Sequence, residues 1–320
     1  MIELSVVIPV YQGAECLAEL HHRLQAVLRK ITPHYEILFV EDRGRDNSWE
    51  ILKGICRRDS KSKAYRLSRN FGQHAAITAG LSKSLGKWTV VMDCDLQDLP
   101  EEIPPLYRKA LEGFDIVLTR RTRKKHSLFR NMTARFYFRL LNFFNGLKID
   151  PNVGSFSVIS RKVVEAYLRL NDLDRHYLFI LRWLGFRVAV LEYEHAERFK
   201  GKSSYSFSSL LTHAFNGLFF QTTILLRWIV YLGMGLSAAG FLLTFYFLFL
   251  YFYRSIQPGW TSLAILLLLI GGFIIASTGV TGLYIGKIFE QVKQRPLYVF
   301  DEQIERGRVS PSGKTQKKKD

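Results

Sequence analysis

Two aspartates in the segment VVMDCDLQD have the residue type and spacing of a metal site. The segment starts as an apolar run and continues into Asp93, Cys94 and Asp95. Residues i and i+2 of an extended chain point to the same side, so the two carboxylates can face one cation. A small number of hard oxygen ligands, completed by a diphosphate, suits Mg2+ or Mn2+. An isolated pair of this kind also begins ordinary turns, so its context has to decide.

The elements that would position this pair alternate between strand-like and helix-like stretches. Short β-branched runs occur in SVVIPV, YEILFVED, AYRLS, KWTVVMD and FDIVLT. Helical patterns separate them at 14–30, 48–58, 73–85 and 101–111. This alternation predicts an α/β fold with a mostly parallel sheet covered on both faces, which binds ligands at the carboxyl ends of its strands. No GxGxxG or Walker loop follows the first strand, which disfavours a Rossmann dehydrogenase or a P-loop enzyme.

Two long segments, Trp228–Tyr253 and Trp260–Gly286, contain no Asp, Glu, Lys or Arg. Each exceeds the roughly 20 apolar residues that cross a bilayer, so we expect two transmembrane helices joined as a hairpin. The turn at 254–259 holds one basic residue, whereas both flanking regions are rich in Lys and Arg, which predicts cytoplasmic termini. The N-terminus lacks the pattern of a signal peptide. Glycines in both helices allow close packing in a homo-oligomer.

The net charge of +17 is partly concentrated in one stretch. Residues 120–139 contain eight Lys or Arg and no acid, and LLNFF follows at 140–144. Basic residues interleaved with aromatic ones suit a helix at a lipid surface, and a solvated basic face is the alternative. Without a recognition motif, charge alone does not indicate nucleic-acid binding. The three cysteines have no metal-like or disulfide-like spacing and are interpreted as packing residues.

Six segments together resemble family 2 glycosyltransferases of the GT-A fold: VVIPVY, the pair Glu41-Asp42, LSRNFG, DCDLQDLPE, VGSF and ERFKGKSSYSF. Within that family the resemblance is to polyprenyl-phosphate glycosyltransferases, and it extends to the paired C-terminal helices and IGKIFEQVKQRPLY. It implies inverting transfer of a hexose from a nucleotide diphosphate sugar to a polyprenyl phosphate such as undecaprenyl phosphate. UDP-glucose is the expected donor, with a UDP-amino sugar or GDP-mannose as alternatives. The expected place is the cytoplasmic face of the plasma (inner) membrane.

The same resemblance implies roles for individual residues. The nucleotide-binding residues are expected to be Pro9, Tyr11, Glu15, Asp42 and Asp93, with Asp42 on the base. The metal ligands are expected to be Asp93 and Asp95, and the catalytic group is completed by Gln97 and Asp98, facing the sugar or its metal. The cofactor would be Mg2+ or Mn2+.

The chain departs from the family pattern at three places. Gln12 stands where Asn is frequent, and Gln73-His74 replaces a Lys-Glu pair. Many relatives carry an acid within the motif that reads Gly154-Ser155-Phe156 here. Loss of that acid is tolerable, because a phosphate acceptor is already an anion and needs no general base.

An anionic acceptor needs positive charge instead. Arginine offers bidentate donors that match phosphate oxygens, and lysine offers a point charge. The candidates for binding the acceptor phosphate, all in segments resembling the acceptor-side loops of the family, are Arg120, Arg130, Arg198 and Lys202.

These inferences divide the chain into a GT-A domain at 1–205, a juxtamembrane amphipathic helix at 206–223, a two-helix membrane hairpin at 224–289 and a basic cytoplasmic tail at 290–320. Two other functions stay open. A processive polysaccharide synthase is disfavoured by having only two spans and by Phe179 in place of Gln in the Q-x-x-R-W signature. A non-catalytic scaffold that binds nucleotide sugar would have no need of Asp93, Asp95 and Asp98.

Overall fold

The computed structural model describes residues 1–121, 152–173, 175–193, 228–235, 260–305 and 308–311, together with isolated helical positions between 238 and 249. These residues fall into two compact units. One holds the described residues up to 193 and those from 295 onward. The other holds the described residues between 228 and 294.

The first unit contains a sheet of nine strands. The strands are β1 Leu4–Val10, β2 Tyr35–Glu41, β3 Ser62–Leu67, β4 Trp88–Val91, β5 Ile116–Arg121, β6 Val153–Ser160, β7 Val188–Tyr193, β8 Phe300–Glu305 and β9 Arg308–Pro311. Their order across the sheet is β7-β5-β6-β4-β1-β2-β3-β8-β9. Strands β1 to β3 pair in parallel with one another and β1 with β4, while β6 and β8 run antiparallel to their neighbours. The predicted mostly parallel α/β sheet is confirmed.

Helices cover the sheet, and the first four of them lie where the sequence pattern predicts helices. They are α1 Leu17–Ile31, α2 Ser48–Arg58, α3 Gln73–Lys83, α4 Ile103–Leu111, α5 Arg161–Arg169 and α6 Tyr177–Trp183, with a 3-10 turn at Pro100–Glu102. Strands β1 and β2 are buried along their whole length, because helices lie on both faces of the central sheet. Helix α3 packs so close to β1 that a Cβ on Gly80 would stand 2.3 Å from Val7 Cγ1.

The C-terminal residues differ from the expectation of a basic tail at 290–320. Residues 300–305 and 308–311 form β8 and β9, and β8 pairs with β3. Ile304 is fully buried in the core, and the Phe300 ring packs against Tyr65. Part of the predicted tail therefore belongs to the sheet of the first unit. There β8 pairs with β3, which would otherwise be an edge strand with exposed hydrogen-bonding groups.

The second unit contains α7, Trp260–Val292. Within it, Ile270–Val292 is the one described helical segment that is long and apolar enough to cross a membrane. Large apolar side chains such as Leu267 and Ile275 are exposed along it. Residues 228–235 are also helical, but half of the first expected span, 228–253, lies outside the described residues. The predicted pair of spans therefore stays a prediction.

Candidate functional site

The acidic segment after β4 alternates between half-buried and buried residues. Asp93, Asp95 and Gln97 are partly exposed, whereas Cys94 and Leu96 between them are buried. Exposure therefore alternates along the segment, although the backbone bends at 94–98 and does not continue as a strand. That both carboxylates face one cation stays a prediction. Leu96 has a φ of +61°, a backbone conformation that few residues other than glycine adopt. The turn holding the two carboxylates is therefore held in place by the surrounding fold.

Asp93 joins three elements through its carboxylate. Gln73, the first residue of α3, donates from Nε2 to Asp93 Oδ1 at 2.7 Å. The Ser155 hydroxyl, on β6, lies 3.4 Å from each Asp93 oxygen. Both partners stand where the sequence departs from the family pattern. The sequence marked these positions as unusual, but only the fold shows that they meet at Asp93.

Asp95 and Asp98 occupy different environments. Asp95 Oδ1 accepts a hydrogen bond from the Gln97 backbone at 3.2 Å, which closes a local turn. Asp98 is fully buried, and its Oδ1 accepts from the Tyr193 hydroxyl of β7 at 2.6 Å. Its Oδ2 lies 3.5 Å from the Asp93 backbone nitrogen. Asp98 thus supports the turn through these two contacts. The family resemblance implies that it faces the sugar or its metal, and that role stays a prediction.

The chemistry of these side chains fits Mg2+ or Mn2+. Asp93 and Asp95 present carboxylate oxygens, the ligands that these hard ions prefer. Burial, together with the charges of Asp93 and Asp95, raises the pKa of the Cys94 thiol to about 12. In the described part of the chain, no three His, Cys, Asp or Glu side chains gather around one point. Such a pair suits an ion whose shell is completed by diphosphate and water.

The loops after β1 and β2 lie at the same edge of the sheet and are tied together. Gly13 N donates to Ser48 Oγ at 3.1 Å, and Ala14 N donates to Asp46 Oδ2 at 2.9 Å. Gln12 in the first loop has a φ of +54°, and Arg43 in the second has a φ of +53°. With Leu96, three non-glycine residues in the left-handed region therefore follow three adjacent strands. Such strain is concentrated at functional sites in proteins.

The residues expected around the nucleotide differ in exposure. Tyr11 is 44% exposed and Glu15 is exposed, so both are accessible at this edge, whereas Pro9 is buried within β1. Asp42 is only 3% exposed, and its two oxygens accept from the backbone nitrogens of Phe71 and Gly72 at 2.7 and 2.8 Å. Burial raises its pKa, against the opposing effect of those two hydrogen bonds. In this structure Asp42 anchors the start of α3.

An aromatic cluster lies next to the Gln73–Asp93 contact. The His74 ring lies 4.5 Å from that of His176, and His176 stacks on Phe179 at 4.0 Å, both measured between ring centroids. The Tyr177 backbone nitrogen also lies 3.5 Å from His74 Nδ1. Helix α6 is thereby joined to the start of α3.

Of the four candidates for the acceptor phosphate, the structure describes one. Arg120 is exposed near the carboxyl end of β5, and its NH1 lies 3.5 Å from Glu192 Oε1 of β7. It pairs in register with Val153, at the end of β6 that also carries Ser155. Arg130, Arg198 and Lys202 lie outside the described residues.

Comparison with known proteins supplies the family. Residues 5–168 match the model of glycosyl transferase family 2. The chain is 36% identical to an uncharacterized glycosyltransferase, YkcC, of Bacillus subtilis strain 168, with 93% of each chain covered. It is 33% identical to the undecaprenyl-phosphate 4-deoxy-4-formamido-L-arabinose transferase of Enterobacter sp. strain 638, covering 98% of this chain and 97% of that one.

Solved structures resemble the chain more distantly. The mannosyl-3-phosphoglycerate synthase of Rubrobacter xylanophilus matches with a TM-score of 0.48 and 17% identity, over 67% of this chain and 71% of that one. The match to residues 1–349 of TarS from S. aureus in complex with UDP-GlcNAc has a TM-score of 0.45 and 16% identity, over 69% and 66% of the two chains. The family model and the full-length relatives are decisive: this chain belongs to glycosyl transferase family 2 and is a glycosyltransferase.

Proposed function

We propose that this enzyme transfers a hexose, with inversion, from UDP-glucose to a polyprenyl phosphate. The observation that carries the proposal is the half-buried pair Asp93 and Asp95 at the ligand edge of the sheet, with Gln73 and Ser155 on Asp93. The acceptor class is supported by relatives of nearly full length that are named undecaprenyl-phosphate transferases. Their sugar, 4-deoxy-4-formamido-L-arabinose, makes a UDP-linked amino sugar the second candidate donor.

The proposed chemistry needs no nucleophile from the protein. Asp93 and Asp95 would hold Mg2+ or Mn2+, which when bound neutralises the diphosphate and makes it a better leaving group. The acceptor oxygen attacks the anomeric carbon opposite the departing diphosphate, so one displacement inverts the configuration. Because a lipid phosphate is already charged, Ser155 suffices where many relatives have an acid. The cationic side chains proposed to bind that phosphate are Arg120, Arg130, Arg198 and Lys202.

The nucleotide would lie across the loops after β1 and β2. Tyr11 and Glu15 are accessible for contact there, and Pro9 shapes the end of β1. Asp42 would contribute to the nucleotide site in two ways. It accepts hydrogen bonds from the backbone of Phe71 and Gly72, and the family resemblance implies that it also contacts the base. Gln97 is partly exposed, and it and Asp98 are proposed to face the sugar or its metal.

The acceptor requires a site beside a lipid surface. We propose two spans, within 224–289, with the catalytic domain and both termini in the cytoplasm and an amphipathic helix at 206–223. The apolar segment Ile270–Val292 supports one of these spans. Holding the site at the interface confines the search for a lipid phosphate to two dimensions and raises its effective concentration. The proposed location is the plasma membrane, where the glycines of the two spans would allow close helix packing in a homo-oligomer.

The test is a transfer assay with purified full-length protein and a short-chain polyprenyl phosphate. The donors are UDP-glucose, UDP-N-acetylglucosamine, GDP-mannose and a UDP-linked 4-formamido sugar, each with Mg2+, with Mn2+ or with EDTA. We expect one sugar per lipid, an equal amount of released UDP, inverted anomeric configuration and no product in EDTA. Glycans of several sugars would indicate a processive synthase. Donor binding without turnover under every condition would indicate a scaffold.

A further inference from the structure

We propose that the C-terminal strand β8 is a working part of the donor site, in which Asp301 and Glu302 position the loop that follows β2. This inference rests on the proposed function, since that loop is taken to line the nucleotide. It assigns a role to residues that the sequence placed in a basic tail.

The direction of β8 brings its first residues to the ligand edge. The strand runs antiparallel to β3, so Phe300 pairs with Leu67 at the carboxyl end of β3 and Ile304 pairs with Ala64 nearer its start. The pairing shifts between Arg66 and Leu67. Asp301 and Glu302 therefore lie beside the carboxyl ends of β2 and β3, whereas Glu305 lies toward the opposite edge.

Asp301 contacts the strained residue of the β2 loop directly. Its Oδ2 lies 2.5 Å from Arg43 NH1, and the two side chains are 44% and 41% exposed. Ion pairs this exposed add little to the free energy of unfolding. Arg43, however, has a φ of +53°, so its backbone depends on its surroundings to stay in the left-handed region. The pair therefore matters for the conformation of the turn more than for global stability.

Glu302 reaches the same turn through a chain of contacts. Its carboxylate accepts from Trp49 Nε1 at 3.3 Å and lies 3.5 Å from Arg66 NH1. Arg66 Nε donates to Glu41 Oε2 at 2.9 Å, and Glu41 Oε1 accepts from Gly44 N at 2.6 Å. The two acids of β8 thus act on adjacent residues, 43 and 44. One acts directly and the other acts through Arg66 and Glu41.

The turn at 43–44 is in close contact with the loop that carries Tyr11. A Cβ on Gly44 would stand 3.0 Å from Gln12 N, so the two backbones pass each other without room for a side chain. Asp46 and Ser48 then bind the backbone of Ala14 and Gly13. A displacement of 43–44 is therefore transmitted to both loops that are proposed to line the nucleotide.

The test compares Asp301→Asn and Glu302→Gln with Glu305→Gln in the full-length protein. Glu305 is on the same strand and accepts from Tyr65 OH at 2.6 Å, but toward the opposite edge of the sheet. The probe is UDP with Mn2+, and its Kd is measured by calorimetry. We expect the two ligand-edge variants to weaken UDP binding roughly 3- to 30-fold and to raise the donor KM similarly, with kcat changed less than about twofold. Glu305→Gln should lower the unfolding temperature without changing the Kd.

A double-mutant cycle identifies the mechanism. Arg43→Ala and Asp301→Ala should weaken UDP binding by similar factors, and the double variant should be little worse than either. Asp301→Glu, which keeps the charge, should restore part of the affinity. If wild-type protein binds UDP while the Asp301 and Glu302 variants match Glu305→Gln in Kd, the inference is overturned. If wild-type protein binds no nucleoside diphosphate at all, the proposed function fails instead.

Discussion

At one end of the sheet the chain turns through strained residues, whereas at the other end a buried carboxylate joins several elements by hydrogen bonds. At the carboxyl ends of β1, β2 and β4, Gln12, Arg43 and Leu96 all have positive φ. At the amino ends, Glu36 is 2% exposed, with Oε1 accepting from Ser5 Oγ and Leu85 N, both at 2.7 Å, and Oε2 bound to Lys63 Nζ at 2.8 Å. Strained backbone thus lies at the edge where the site is proposed, whereas the contacts of Glu36 stabilise the sheet at the opposite edge.

Buried acids show the same division in their pKa values. At the ligand edge, burial raises the pKa of Glu41 and of Asp42, although hydrogen bonds oppose it. At the opposite edge, burial of Asp59 is outweighed by hydrogen bonds from His21, Ser62 and the Lys61 backbone, which hold its pKa well below the usual range. Burial therefore has the larger effect on the pKa of the two acids at the ligand edge, whereas hydrogen bonds have the larger effect on that of Asp59.

The largest expected effect that separates the two ends is on catalysis. Asp95→Ala should reduce transfer on the order of a thousandfold, because a bound ion supplies several kcal/mol of charge stabilisation and about 1.4 kcal/mol corresponds to tenfold. The free energy of unfolding should change little, since Asp95 is partly exposed and lies in a turn. Turnover at saturating Mn2+ and urea unfolding measure the two quantities. Near-normal turnover in the folded variant would remove Asp95 from the mechanism.

A substitution at the amino ends of the strands should instead lower the free energy of unfolding and leave turnover nearly unchanged. Glu36→Ala leaves Lys63 without its carboxylate and the Leu85 N–H without its acceptor, so it should cost about 3 kcal/mol of unfolding free energy. Turnover per folded molecule should stay within about twofold of wild type. Chemical unfolding followed by fluorescence measures the first, and activity normalised to folded protein measures the second. A selective loss of turnover would contradict the division between the two ends.

A smaller effect, about 2 kcal/mol, is expected from Asp59→Asn, and it should depend on pH. Because the pKa of Asp59 is lower in the folded protein than the ordinary value of 3.8, its stabilisation is fully present above that value and is lost as the pH falls through the folded-state pKa. The variant should therefore be less stable than wild type at pH 7 and approach it in stability below about pH 4. Unfolding curves between pH 3 and pH 7 measure this convergence. A difference that does not change with pH would rule out the charge as its cause.

The smallest expected effect is a gain in stability at the ligand edge. Gln12 has a φ of +54°, which costs an ordinary residue about 1 kcal/mol and costs glycine nothing. Gln12→Gly should therefore raise the free energy of unfolding by up to about 1 kcal/mol, and Gln12→Asn should raise it by less. Both variants are compared with wild type by urea unfolding. A loss of stability in both would show that the Gln12 side chain contributes more than its backbone costs.

The sequence was sufficient for the repeated part of the fold. Apolar runs and helical periods predicted β1 to β5 and the helices between them, because those elements are locally amphipathic or wholly buried. The strand β8 was missed because FDEQIE contains three acids and only two large apolar residues, and its pairing partner lies more than 200 residues away. Edge strands of this composition carry little local signal.

The features of the candidate site also differ in whether the sequence alone could predict them. The alternating exposure of Asp93, Cys94 and Asp95 is a local property that a period of two predicts. The burial of Asp98 depends on the Tyr193 hydroxyl of β7, and the contact of Gln73 with Asp93 depends on where α3 begins in space. Neither has a signal in the residues alone, since both arise from tertiary packing.

The position of β8 at the end of the chain bears on the order of biosynthesis. Ribosomes release the chain from its N-terminus at roughly 5 to 20 residues per second, so residues 300–305 emerge after α7, Trp260–Val292, has been made. With Asp301 and Glu302 needed for the donor loop, a nascent chain has a complete nucleotide site only after its apolar helix has left the ribosome. The full affinity for the donor would then be reached only once the segment proposed to anchor the enzyme already exists.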